Sequence, residues 1–223
     1  MPNLYLFDVD RTLTTNTGDK SYAKPIRNLY GVSIDDAQDF SGMTDKLILA
    51  KLLVSEGWDE HQIDDNLPAL IAELEVTHAQ SFDKSSMSIL PGVRQLLEAL
   101  QKRGHVLGLI TGNLKAITKL KLEAVDIYSF FTVGAYGDDP HDKRSDLVTL
   151  AIARAGFAKK IPNVYSIGDT PLDIEATLGA GAIHAVGVSN GFVGTEILRS
   201  SGASIVFEDF CDTDYVLQQL GAG

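Results

Sequence analysis

The chain opens on a short apolar run that ends in two acids. Residues 4–7 have the composition of a buried strand, and Asp8 and Asp10 follow it, separated by one residue. Two carboxylates so close repel each other, so they are either solvated at a strand end or part of a site that needs both charges. The positions of the other polar residues decide between these interpretations.

Between residues 14 and 88 the apolar positions recur at helical spacing, and no segment has the alternation typical of a strand. Thr44 and Asp45 are residue types that favour a helix start, and apolar residues at helical spacing follow them. Residues 64–81 are predicted as a second helix, in which Pro68 suggests a break because proline removes a helical hydrogen bond. The region is therefore predicted to be a helical insertion directly after the first strand.

From residue 91 onward, amphipathic helices alternate with short β-prone runs. This alternation predicts a parallel sheet covered by helices on both faces. The predicted fold class is α/β, a doubly wound, Rossmann-like parallel sheet core with an inserted helical cap after the first strand. We expect residues 1–13 and 89–223 to form the core and residues 14–88 to form the cap. The predicted helices are 91–103, 114–125, 145–155, 171–178 and 212–220, and the predicted strands are 105–111, 132–135, 163–167, 182–188 and 204–207.

Polar residues follow four of the predicted strands at the point where each strand ends. In a doubly wound sheet, ligands bind at the carboxyl ends of the strands. Each short motif alone is also typical of an ordinary turn or helix cap, but a shared position at one edge favours a single site. These residues are Asp8 and Asp10 after the first strand, Thr111, Gly112 and Asn113 after the second, Lys143 and Arg144 after the third, and Asp169 and Asp173 after the fourth.

The residue types at this edge indicate phosphoryl transfer. Four acids that converge without a counterion would repel one another strongly, and a divalent cation bound by oxygen ligands removes that repulsion, which favours magnesium. The Thr111 hydroxyl and the backbone amides of Gly112 and Asn113 suit a phosphate. A lysine or arginine opposite them would offset the remaining phosphoryl charge.

Composition narrows the classes of partner. The chain has 223 residues, of which 44% are hydrophobic, and a formal net charge of -11, which argues against nucleic acid or an anionic membrane as a partner. Its single cysteine, Cys211, cannot form an intrachain disulfide. With no signal-peptide pattern and no long apolar run, we expect a cytoplasmic location.

Four segments resemble the motifs of the haloacid dehalogenase-like hydrolase superfamily. DVDRTL resembles its first motif, ITGN its second, KRSDL its third and GDTPLD its fourth, in the same order along the chain. SGMTDKLI and LPGVRQLLEAL resemble the phosphoglycolate phosphatase-like branch. The helical insertion matches the position of the family's cap, so the resemblance covers essentially the whole chain.

The resemblance implies a role for each motif residue. Asp8 would be the nucleophile that forms an aspartyl-phosphate, and Asp10 would protonate the leaving group and then activate water. Magnesium would be bound by Asp8, the main-chain carbonyl of Asp10 and Asp169, with Asp173 binding it directly or through water. The phosphoryl oxygens would be held by Thr111, Gly112 and Asn113.

The basic residues raise questions at two places in the family pattern. Counting back from Leu147 favours Arg144 over Lys143 as the phosphoryl-facing cation, and Ser145 is the predicted N-cap of the helix that follows. Family members usually carry glycine where this chain has Arg11. The arginine would either crowd the turn or lie along the cap and help to attract an anion.

The predicted function is a magnesium-dependent phosphatase that hydrolyses a small organic phosphomonoester, a phosphorylated metabolite, through an aspartyl-phosphate intermediate. A β-phosphoglucomutase-like mutase is the main alternative because it keeps both acids of the first motif, and a non-catalytic phospho-ligand-binding protein is a more distant one. Asp10 argues against a haloacid dehalogenase or a phosphonate hydrolase of this family, since both lack the second acid. The substrate and the oligomeric state are left open.

Overall fold

The sheet consists of short, largely buried strands that all run in the same direction. The computed structural model describes residues 2–15, 20–157, 163–181, 184–189 and 193–222. The strands in these ranges are β1 (Leu4–Phe7), β2 (Val106–Ile110), β3 (Val133–Ala135), β4 (Val164–Gly168), β5 (His184–Val188) and β6 (Ile205–Phe207). Their order across the sheet is β3-β2-β1-β4-β5-β6, and each neighbouring pair is parallel. This order confirms the predicted doubly wound sheet.

Both faces of the sheet are covered by helices. Those described are α1 (Ala23–Tyr30), α2 (Asp45–Ser55), α3 (Glu60–Ser81), α4 (Val93–Lys102), α5 (Lys115–Ala124), α6 (Arg144–Arg154), α7 (Pro171–Gly179), α8 (Thr195–Ser200) and α9 (Thr213–Gln219), with 3-10 turns at Lys84–Ser86 and Tyr128–Phe130. The sequence pattern did not predict α1 or α8. None of the helices in the described ranges combines the length and the apolar character needed to cross a bilayer. Of the predicted strand 182–188, residues 182 and 183 lie outside the described residues.

Alternating residues of β1 supply the two apolar layers of the core. Tyr5 and Phe7 point to one face and pack in a cluster with residues of α4 and α9. Leu4 and Leu6 point to the other face and pack with Leu147 and other residues of α6. Because successive side chains of a strand alternate between faces, a central strand buried on both sides must be apolar throughout, as β1 is.

Residues 22–81, which we call the helical insertion, lie between β1 and β2 in the chain. They contain the helices α1, α2 and α3, which share an apolar cluster. Ile48 and Leu52 of α2 pack there with Leu70 and Leu74 of α3. The cluster also includes Ile117 of α5. The insertion therefore has an apolar interior of its own and also packs against a helix of the core.

The predicted break at Pro68 is wrong, because α3 is continuous through it. The helix begins at Glu60 instead of residue 64, and Asp59 and Gln62 form a reciprocal capping box at its start. Pro68 lies on the exposed side of α3, and the carbonyl that loses its partner there belongs to Asp64, which is also exposed to water. Packing of the opposite, apolar side keeps the helix intact despite the lost hydrogen bond.

The chain enters and leaves the insertion through two adjacent segments. The amide of Thr15 donates to the Ser88 carbonyl at 2.9 Å, and the amide of Leu90 donates to the Leu13 carbonyl at 3.0 Å. These hydrogen bonds lie at the two ends of the cap predicted for residues 14–88. The boundary between core and cap stays a prediction.

Candidate active site

Three buried carboxylates meet at the carboxyl edge of the sheet. Asp8 follows β1, Asp169 follows β4, and Asp173 lies in the first turn of α7. One carboxylate oxygen of each lies within 4.8 Å of the other two. Because β1 and β4 are neighbours in the sheet, their polar ends lie side by side, as expected from the sequence. Asp10, the fourth predicted acid, does not belong to this group.

Burial and repulsion from neighbouring carboxylates disfavour the charged forms of Asp8 and Asp169. Burial raises the pKa of Asp8 well above its usual range, with Asp173 adding to the rise and Arg144 opposing it. Burial and the neighbouring charge of Asp173 raise the pKa of Asp169 to about 7. Hard divalent cations prefer oxygen ligands and offset the repulsion between carboxylates. The donor set at this edge therefore fits magnesium.

Arg144 supplies a positive charge directly at the acids. Its Nη2 lies 2.9 Å from Asp8 Oδ1 and 2.5 Å from Asp173 Oδ1. Lys143 precedes α6 and is exposed, so Arg144 is the member of the basic pair that reaches Asp8. The predicted N-cap at Ser145 is wrong: α6 begins at Arg144, because the amide of the N-cap residue Lys143 donates to the Asp146 carboxylate.

The segment after β2 lies at the same edge of the sheet as the acids, because β2 pairs with β1 on the side opposite to β4. Thr111 is buried and lines the same cavity as Asp8. The amide of Asn113 donates to Thr111 Oγ1 at 3.2 Å, and its side-chain Nδ2 donates to Asp10 Oδ2 at 2.9 Å. A Cβ at Gly112 would lie 2.5 Å from the carbonyl oxygen of Met43, so the close approach of the insertion requires glycine there. Asn113 thus contacts an acid of the core, and Gly112 lies against the insertion.

Sequence reasoning missed Lys121, whose side chain is completely buried. Its Nζ donates to Asp10 Oδ1 at 2.7 Å and to Oδ2 at 2.9 Å. Burial lowers the pKa of the lysine ammonium, and the Asp10 carboxylate opposes that shift. The available signal was a lysine one helical turn after Ile117 on the buried face of α5.

A second buried ion pair, also missed, joins the insertion to the core. Lys20 Nζ lies 2.7 Å from Asp45 Oδ1 and also donates to Asn113 Oδ1. The hydroxyl of Tyr22 donates to Asp45 Oδ1 at 2.7 Å, and the amide of Leu114 donates to Asp45 Oδ2 at 2.9 Å. Burial alone would raise the pKa of Asp45, but Lys20 and these hydrogen bonds lower it. The start of α2 is thereby fixed to the start of α5.

Arg11 occupies a backbone conformation that glycine usually fills. Its φ is 61°, in the left-handed region, and its amide donates to the Thr14 carbonyl at 2.8 Å. Arg11 lines the cavity together with Asp39, whose pKa is lowered by hydrogen bonds from Ser41 and, to a smaller extent, by the charge of Arg11. The same charge opposes the rise in the pKa of Asp169. The turn accommodates an arginine with a strained backbone.

A single cavity of about 340 Å³ brings these groups together. The core contributes Asp8, Thr111 and Arg144 to its lining, and the insertion contributes Tyr22 and Phe40. A volume of this size suits a small organic ligand. Most of the lining is charged or polar, including Asp36, Asp39 and Asp45, and Tyr22 and Phe40 add aromatic surface.

Comparison with known proteins defines the family. A family model described as haloacid dehalogenase-like hydrolase matches residues 5–188. The chain therefore belongs to the haloacid dehalogenase-like hydrolase family, which confirms the resemblance drawn from the four motifs. The phosphoglycolate phosphatase of Escherichia coli (strain K12) is 29% identical over 157 residues, equivalent to 67% of this chain and 61% of that protein. The chain thus covers less than two thirds of the length of this relative.

Solved structures share the fold at lower sequence identity. A hydrolase from Pseudomonas syringae has a TM-score of 0.73 and 22% identity, with 97% of this chain and 98% of that chain covered. A Thermotoga maritima protein provisionally described as a β-phosphoglucomutase has a TM-score of 0.62 and 18% identity, with 97% and 99% covered. At these identities the likeness concerns the fold, and it confirms the predicted α/β class.

Asp45→Asn is expected to lower the free energy of unfolding by about 3 kcal/mol at neutral pH, because it leaves the buried Lys20 ammonium without its counterion. The pKa of Asp45 is lowered by folding, so its contribution is fully present above the ordinary carboxyl pKa of about 4. That contribution is lost as the pH falls through the lower, folded-state pKa. The stability difference between the variant and the unchanged protein should therefore shrink in acid.

Urea unfolding of both proteins over a series of pH values measures this difference. Asp64→Asn is the matched control, because Asp64 is an exposed acid on α3 and its replacement should change stability little at any pH. A difference for Asp45→Asn that stays constant into acid would contradict the charge pairing.

Proposed function

We propose that this protein is a magnesium-dependent phosphatase that hydrolyses a small organic phosphomonoester through an aspartyl-phosphate intermediate. The observation that carries the proposal is the contact of Arg144 with Asp8 inside the group of three buried acids. Phosphoryl transfer depends mainly on positioning and charge stabilisation, which this arrangement supplies. Family membership and the name of the Escherichia coli relative support the same class of reaction.

The residues that would hold magnesium are Asp8, Asp169, Asp173 and the main-chain carbonyl of Asp10. When bound, the ion would offset the charge of the acids and of the phosphoryl group. Asp173 already accepts hydrogen bonds from Arg144 and from the Thr170 hydroxyl, the latter at 2.7 Å. These bonds orient its carboxylate toward the other acids.

Two carboxylates divide the chemistry in this proposal. An oxygen of Asp8 attacks phosphorus, the bond to the leaving oxygen breaks, and Asp10, which must enter this step in its protonated form, gives that oxygen its proton. Water then attacks the phosphorus of the aspartyl-phosphate, Asp10 accepts the proton of the water, and phosphate leaves as the bond to Asp8 breaks. Arg144, the Thr111 hydroxyl and the amides that follow it hold the phosphoryl oxygens as their charge shifts.

Residues 14–88 act as a cap in this proposal, and residues 1–13 and 89–223 act as the core that carries the acids. The insertion contributes Tyr22, Phe40 and Ile48 to the cavity lining. A cover of this kind excludes water from the reacting groups and limits the size of the substrate.

We further propose a small phosphorylated metabolite as the partner, in the cytoplasm. The net charge of -11 supports a partner other than nucleic acid or an anionic membrane. The presence of only one cysteine is compatible with a reducing compartment.

A phosphosugar mutase is the second candidate, and the fold shared with the Thermotoga maritima protein favours keeping it. Both candidates use a phosphorylated aspartate, so they differ in the acceptor of the phosphoryl group. Conversion of glucose 1-phosphate to glucose 6-phosphate would identify a mutase. Release of inorganic phosphate from a panel of phosphomonoesters would identify a phosphatase, and phosphate-ester binding without turnover would identify a binding protein.

Turnover of small organic phosphates is expected to require magnesium, because the acids at the sheet edge carry charge that a divalent cation must offset. An excess of chelator should abolish phosphate release, and added magnesium should restore it. Calcium should substitute poorly, since its larger and looser coordination shell misplaces the nucleophile. Full activity in excess chelator would rule out the assigned metal.

Asp8→Asn and Asp10→Asn are expected to fail in different ways. Asp8→Asn should form no covalent intermediate. Asp10→Asn should phosphorylate Asp8 much faster from an aryl phosphate than from an alkyl phosphate, because the aryl leaving group does not need a proton. Single-turnover measurements with acid quenching test both variants. Equal losses on the two substrates would contradict the role given to Asp10.

Arg144→Ala is expected to lower kcat/KM on the order of 10² or more, the scale of a lost electrostatic donor at a transition state. Lys143→Ala is the matched control and should cost little, because this neighbouring lysine is exposed. Circular dichroism checks that both variants fold. If Lys143→Ala were the impaired variant, or if both were normal, the assignment of Arg144 would be wrong.

A further inference from the structure

Two side chains of the core, Lys121 and Asn113, hold the Asp10 carboxylate. Lys121 lies outside the four sequence motifs, and the second motif does not predict a contact between Asn113 and Asp10. Lys121 Nζ donates to both carboxylate oxygens of Asp10, at 2.7 and 2.9 Å. Asn113 Nδ2 donates to Asp10 Oδ2 at 2.9 Å. Both oxygens therefore have a defined partner, which leaves the carboxylate little freedom to rotate.

Lys121 has this one carboxylate within hydrogen-bond distance among the described residues. Its side chain is 0% exposed, and its other recorded contact is Asn113 Oδ1 at 3.4 Å. Burying an unpaired ammonium costs free energy, so the burial of Lys121 depends on Asp10 as its counterion. The side chain of Asp10, by contrast, is 20% exposed and borders the cavity. The pair thus extends from the helix packing around α5 to the edge of the site.

The direction in which the Asp10 carboxylate faces has consequences for the site. The other three acids form a compact group. One residue, Val9, separates Asp10 from Asp8, which is a member of that group. Without its hydrogen bonds to Lys121 and Asn113, the carboxylate would be free to turn toward a cation bound by that group. It could then no longer donate a proton to the leaving group, because one carboxylate cannot face the cation and the leaving group at the same time.

We propose that Lys121 is a positioning residue that holds the Asp10 carboxylate toward the leaving group of the substrate. This inference rests on the proposed phosphatase function and assigns to that site a residue of α5 outside its four motifs. Lys121 acts through Asp10 and touches neither the phosphoryl group nor the acids of the metal group. A displacement of about 1 Å in a reacting group can cost about 10² in rate, so the orientation of Asp10 is worth fixing.

Lys121→Met tests this role, because methionine fills much of the same space without a charge or a donor. We expect kcat for an alkyl phosphate to fall about 10²-fold or more. Formation of the phosphorylated enzyme from an aryl phosphate should fall at least tenfold less, since that step needs no proton. The affinity for inorganic phosphate in the presence of magnesium, measured by calorimetry, should stay within about threefold, because Lys121 does not contact the phosphate.

Lys119→Met is the matched control. Lys119 lies on the same helix and is 55% exposed beside Glu123, so its loss should leave all three measurements unchanged. Thermal unfolding compares the folding of the variants. Equal losses of rate on alkyl and aryl substrates in Lys121→Met, or no loss on either, would overturn the proposal.

A double variant gives a second test that remains informative if Lys121→Met by itself fails to fold. Asp10→Asn together with Lys121→Met removes both charges of the pair and leaves no isolated ion in the interior. If Lys121 acts only through Asp10, the double variant should retain the residual single-turnover rate of Asp10→Asn within about threefold. A further loss of tenfold or more would show that Lys121 acts by another route and would overturn the proposal.

The outcomes also separate this inference from the proposed function. An unchanged protein that releases no phosphate from any phosphomonoester contradicts the proposed function itself. An active protein whose Lys121→Met variant behaves like the control contradicts only the role of Lys121.

Discussion

The ion pairs of Arg144 with Asp8 and Asp173 are the interactions on which the site depends. The parallel sheet brings acids from two neighbouring strand ends into one buried position, where their charges repel. A single guanidinium nitrogen, 2.9 Å from Asp8 and 2.5 Å from Asp173, offsets part of that repulsion. Burial, together with the remaining repulsion from Asp173, raises the pKa of Asp169 to about 7. The uncompensated charge is also the reason why the donor set fits a divalent cation.

The same charge arrangement ties the helical insertion to the core. Arg144 Nη1 donates to the Gly42 carbonyl at 2.9 Å, so the side chain that contacts the nucleophilic acid also contacts the insertion. Asp45 is buried and accepts hydrogen bonds from the Tyr22 hydroxyl and from the amide of Leu114. Moving the insertion away from the core would therefore break polar contacts made by residues that line the site.

Asn113 links the two buried lysines to the acid at the edge of the cavity. Its Oδ1 accepts from Lys20 and Lys121, and its Nδ2 donates to Asp10. Lys20 comes from the segment that leads into the insertion, whereas Lys121 comes from the core. The orientation of Asp10 thus depends on both parts of the chain, which couples the arrangement of the insertion to the proposed acid-base chemistry.

The sequence by itself determined the fold class and most of the acids at the site, because strand-end residues such as Asp8 and Asp169 must converge once the sheet is parallel. It also selected Arg144, because the family pattern can be counted back from Leu147, although the predicted N-cap at Ser145 was wrong. It did not identify Lys121, because Asp10 lies 111 residues away and no local pattern specifies that pairing. Pro68 was misread for a related reason: a local rule predicts a break, but the packing of one apolar face decides whether a helix continues. Contacts between distant residues depend on how whole elements pack, and only the tertiary structure fixes them.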